Sequence, residues 1–78
     1  MLSPIKKTQE YTVKTRSGDF KMIVTEREDD SYRASFIYSE KNGLRYESSP
    51  LLNSRELVIK DCISKIKQLY PEAEIEIL

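Results

Sequence analysis

The stretch LNSRELVIKDCISKIKQLYP, residues 52–71, is the one part of this chain that reads as a helix, and it decides the fold. Asn53 suits the cap position, Glu56 three residues later can reach back to it, and Leu52 and Leu57 stand at the two positions of a hydrophobic staple. Ser54 is the alternative cap. Val58, Ile59, Cys62, Ile63, Ile66, Leu69 and Tyr70 then recur at spacings of three and four, which draws an apolar stripe along one side. Lys60, Asp61, Ser64, Lys65, Lys67 and Gln68 fall mostly on the other side. Pro71 lacks the amide a continuing helix needs and disfavours helical geometry at Tyr70, so the helix is expected to stop there.

Working outward, the residues before the helix alternate like strands. Tyr11, Val13 and Thr15 form the first alternation, Ser17-Gly18-Asp19 gives a turn signal, and Phe20, Met22 and Val24 form the second. The acidic run Glu26 to Asp30 makes another turn before Tyr32, Ala34, Phe36 and Tyr38. Lys41-Asn42-Gly43 reads as a three-residue hairpin loop, a register that sets Tyr38 opposite Tyr46 on a short fourth strand ending at Ser48-Ser49-Pro50. After the helix, Ala73, Ile75 and Ile77 alternate with Glu72, Glu74 and Glu76 in a last strand.

The order is therefore ββββαβ: an α+β fold of two layers, an antiparallel meander with one helix packed on one face. Residues 1–8 are expected as a loose N-terminal arm and 9–78 as a single domain. The helix-side face takes Tyr11, Val13, Phe20, Met22, Val24, Ala34, Phe36, Ile75 and Ile77. The opposite face has no cover visible in the sequence. It shows Thr12, Lys14, Lys21, Ile23, Thr25, Arg33, Ser35 and Ile37, among which Ile23 and Ile37 make a small apolar patch.

Composition narrows the function classes. A 78-residue chain buries a low fraction of its surface, so a partner or a second copy is an expected source of stability. With 13 basic and 13 acidic residues there is no global pull toward nucleic acid or anionic membrane. Ser3, Pro4, Lys6 and Lys7 interrupt the residues after Met1, so neither a secretory signal nor a spanning helix is read and a cytoplasmic address is expected. Cys62 is the only cysteine and lies on the apolar stripe, where it reads as a small buried hydrophobe.

The chain has no histidine, the side chain most used for proton transfer and metal binding near neutral pH. Its carboxylates gather at the turn around Glu28, Asp29 and Asp30 and along the last strand, the usual places of solvated charge. The run Glu28 to Ser31 lacks the ligand spacing and turn glycine of a calcium loop. No catalytic residue, metal or cofactor is expected.

Two binding readings remain. In the first, Ile23, Thr25, Ser35 and Ile37 form an interface with another protein or a second copy, giving a homodimer. In the second, Lys14, Arg16, Lys21 and Arg33 of the open face contact nucleic acid. Against the second, the aromatics that would stack on bases share the phase of Val13, Met22 and Val24 and so point at the helix.

Glu28-Asp29-Asp30-Ser31-Tyr32-Arg33-Ala34, followed by a glycine and the helix start Asn53-Ser54-Arg55-Glu56-Leu57, resembles the core of HicB-like antitoxins, over roughly Tyr11 to Tyr70. The resemblance implies a small sheet with one helix, of double-stranded-RNA-binding-like or partial RNase H-like shape. It also implies binding of a partner toxin through the sheet, without catalysis. Lys41-Asn42-Gly43 stands where that family carries a proline-rich turn.

Overall fold

A computed structural model describes residues 4–76. Five strands and one helix follow in the order β1 (Ile5–Thr15), β2 (Gly18–Arg27), β3 (Tyr32–Glu40), β4 (Gly43–Ser48), α1 (Arg55–Leu69) and β5 (Glu74–Glu76). All neighbouring strands run antiparallel, in the spatial order β4-β3-β2-β1-β5. The α+β meander read from the alternation is the observed architecture. The last strand pairs with β1, Val13 standing opposite Ile75. Ile77, assigned above to the helix-side face, lies outside the described residues.

The core is a single layer between sheet and helix. Val13, Met22, Val24, Ala34 and Phe36 from the sheet meet Val58, Cys62 and Ile66 from α1, all essentially without solvent contact. Period two on the strands and period near four on the helix put these residues on facing surfaces. Tyr70, at the helix C-cap, extends the contact: its ring lies 5.7 Å from that of Phe20 and 6.3 Å from that of Tyr38. At the other end Arg55 places its guanidinium over the Tyr11 ring at 5.6 Å and donates to Gln9 Oε1. Both ends of the helix are thus tied to the sheet by side chains.

The helix start differs from the capping-box reading. Ser54, the alternative, is the N-cap, and its Oγ accepts from the Leu57 N–H at 3.3 Å. That shift of one residue moves Glu56 out of the position that reaches back to the cap. It also puts Val58, which is fully buried, where the staple reading placed Leu57, which is 52% exposed.

The N-terminal segment also departs from expectation. Ile5–Thr8, assigned above to a loose arm, belong to β1 and pair with Arg27, Glu26 and Thr25 across a bulge. Pro4 O accepts from the Glu28 N–H at 3.0 Å, tying the segment down a residue further. Met1 to Ser3 of the expected arm lie outside the described residues.

The first and third of the three hairpin loops are shorter than their turn signals suggest. Thr15 pairs with Gly18 and Glu40 with Gly43, leaving two-residue loops, Arg16-Ser17 and Lys41-Asn42. No residue of either loop has positive φ; each glycine, at φ 124°, completes the reversal as the first residue of the next strand. The consequence for β4 is a register one residue off the three-residue-loop reading. Tyr38 faces Arg45, and Tyr46 faces Ile37.

Candidate interaction surface

Because the side chains of a strand alternate between faces, the register fixes what the helix-free face displays. Ile23 stands opposite Ser35, Ser35 opposite Ser48, Ile37 opposite Tyr46, and Ser39 opposite Leu44. The four residues expected at a protein interface, Ile23, Thr25, Ser35 and Ile37, therefore do lie together on this face of β2 and β3. Ile37 is 50% exposed, while the other three are half-buried.

The register adds two residues that the sequence reading missed. Tyr46, 60% exposed, and Leu44, 73% exposed, carry the apolar surface across β3 onto β4. A two-residue loop at Lys41-Asn42 was the signal for both, since it alone turns Tyr46 away from the helix. Large apolar side chains scattered singly are ordinary on a protein surface, but Ile37, Tyr46 and Leu44 are neighbours on adjacent strands.

β4 is also a sheet edge. Ser49, just past its end, donates its N–H to Ala34 O at 2.8 Å, and its buried Oγ accepts from the Ala34 N–H at 3.0 Å. Ser49 thus turns its backbone inward to β3, and antiparallel alternation then turns Glu47, Arg45 and Gly43 inward as well. Leu44, Tyr46 and Ser48 point their N–H and C=O groups to the free side. The other edge, β5, spans Glu74–Glu76 among the described residues and carries two glutamates, charges that discourage pairing.

The basic residues of the alternative reading do not form one patch. Lys14 Nζ lies 2.6 Å from Glu76 Oε1, a hydrogen bond and charge pair that raise its pKa, with Asp19 and Glu74 nearby. Lys21 Nζ donates to Thr12 Oγ1 at 2.8 Å. Arg16 sits in the first hairpin loop, where its N–H donates to Glu72 Oε1. Arg33 is on the helix-free face opposite Thr25, with its Nε shielded from solvent. Carboxylates stand beside two of the four, Lys14 and Arg16.

Cys62 is 0% exposed, and burial pushes its thiol up to about 12. Among the described residues no helix is long and apolar enough to cross a membrane. No family model, no curated protein and no solved structure matches the chain.

Proposed function

We propose that this protein is a small non-enzymatic interaction or self-assembly module that works through the helix-free side of β3 and β4. The observation that carries the reading is the juxtaposition of Ile37 and Tyr46, with Leu44 beside them, on a face that α1 does not cover. An apolar cluster bordering an unpaired strand edge suits burial against another chain. The interleaving of Lys14 with Glu76, Glu74 and Asp19 supports protein over nucleic acid as the occupant. A partner of antitoxin-like kind, a toxin protein, would use the same surface; the resemblance of residues 28–34 and 53–57 supports that form of the reading.

The test compares the tagged wild type with Ile37→Lys/Tyr46→Lys as bait, for a differently tagged second copy and for native extract. The reading holds if the wild type retains a stoichiometric protein chain that the double variant loses. It fails if both retain the same chains or neither retains any. A gel shift with single- and double-stranded RNA and DNA at two salt concentrations tests the alternative, for which salt-sensitive binding is the positive result.

A further inference from the structure

We infer that the occupant of the β4 edge is a second copy of this chain, paired antiparallel about a twofold axis through Tyr46. This rests on the interaction-module reading above and gives it a partner and a register. The backbone groups free to pair belong to Leu44, Tyr46 and Ser48, and Tyr46 is their centre. Pairing Tyr46 with Tyr46 of the second copy, and Leu44 with Ser48 of the second copy, uses every one of them.

The charges choose the same register. In it, Arg45 stands opposite Glu47 of the second copy, and Glu47 opposite Arg45, on the helix side of the joined sheet. Shifting the twofold axis by one residue in either direction sets Arg45 against Arg45 or Glu47 against Glu47. Like charges directly opposite are destabilising and opposite charges favourable, so the alternatives are disfavoured as strongly as this one is selected. Arg45 Nε lies 2.9 Å from Oε2 of Glu40 on β3, and its guanidinium carries further donors for a second carboxylate.

The remaining geometry is compatible. On the helix-free side the two Tyr46 rings meet with Ile37 behind each, joining two small apolar clusters into one. On the other side α1 lies mainly over β3, and the two β3 strands would be three strand spacings apart, about 14 Å. Helices about 10 Å across fit side by side at that distance. The glutamates of β5 disfavour the same event at the opposite edge, so pairing stops at two copies rather than growing into a filament.

The test is a charge-swap complementation followed by light scattering. The wild type is expected at twice the 9.1 kDa chain mass, and Arg45→Glu and Glu47→Arg each at the single mass. An equimolar mixture of the two variants is expected to return to the double mass, because one copy then offers two glutamates and the other two arginines. Tyr46→Pro removes the central outward N–H without removing a bond to β3, and is expected at the single mass. A monomeric wild type, single variants that remain dimeric, or a mixture that stays at the single mass overturns the inference. If the wild type is monomeric but still holds another protein through Ile37 and Tyr46, the edge pairing falls and the interaction reading stands. Loss of the dimer in Ile37→Lys but in neither charge variant would place the contact on the sheet face instead.

Discussion

Ile37 of β3 and Tyr46 of β4 stand directly opposite each other on the side of the sheet that the helix leaves open. Both are at least half exposed, so neither contributes much to the core, and their proximity concerns what the surface meets. Replacing either by lysine is expected to change the unfolding free energy of the monomer, measured at a concentration below that of association, by no more than about 0.5 kcal/mol, the usual range for surface sites. Urea unfolding of each variant beside the wild type checks this. A loss of association in a variant that retains its stability then reports on the surface.

Ser49 is a different kind of residue, polar yet 2% exposed. Its Oγ accepts from the Ala34 N–H and donates to Pro50 O at 2.9 Å, standing in for a strand carbonyl where the chain leaves the β3–β4 ladder. Ser49→Ala strands a buried N–H, and the expected cost is about 1–3 kcal/mol. Denaturant titration should show a lower midpoint with an unchanged slope.

Gly18 and Gly43 share a φ of 124°, a conformation other residues rarely adopt. An added Cβ at either position meets nothing within 4 Å, so the penalty for alanine is backbone strain alone. Gly43→Ala and Gly18→Ala should each lower stability by about 1–3 kcal/mol, measurable by thermal or chemical unfolding. Gly43→Ala should also weaken association, because the register that pairs Ile37 with Tyr46 begins at this turn.

Cys62 gives a pH-dependent prediction. Its thiol ionises near its ordinary value of 9.0 when the chain is unfolded, but burial in the helix–sheet core pushes it up to about 12 in the fold. Between those values the unfolded chain holds fewer protons than the folded one, so stability is complete below the lower value and falls as pH rises through the interval. The slope contributed by this group is at most about 1.4 kcal/mol per pH unit. Cys62→Ala should flatten that slope in unfolding measured from pH 8 to 11, and a thiol reagent should label the wild type only as fast as it opens.

The architecture is legible in the sequence because it depends on periodicity, which survives local errors. The alternation of Tyr11, Val13, Phe20, Met22, Val24, Ala34 and Phe36 and the stripe through Val58, Cys62 and Ile66 are enough by themselves to name the two faces of the core. The candidate surface is only half legible, because it depends on register. The tripeptide Lys41-Asn42-Gly43 is compatible with a two- or a three-residue loop, and the difference of one residue turns every β4 side chain over. The longer loop puts Tyr46 on the wrong side and hides Leu44, while Ile23 and Ile37, on strands fixed by their own alternation, fall on the correct face. Which strands form the edges depends on where β5 pairs, and alternation within a strand does not say which neighbour it joins.

The central claim is that the Ile37–Tyr46 surface is buried against a second copy of this chain. The most direct measurement is the mass, by light scattering, of the protein purified under mild conditions, for the wild type and for Ile37→Lys across a range of concentrations. The account predicts a wild-type particle of at least twice 9.1 kDa and a variant at 9.1 kDa. A wild type at 9.1 kDa at every concentration, or a variant of the same mass as an assembled wild type, would contradict it.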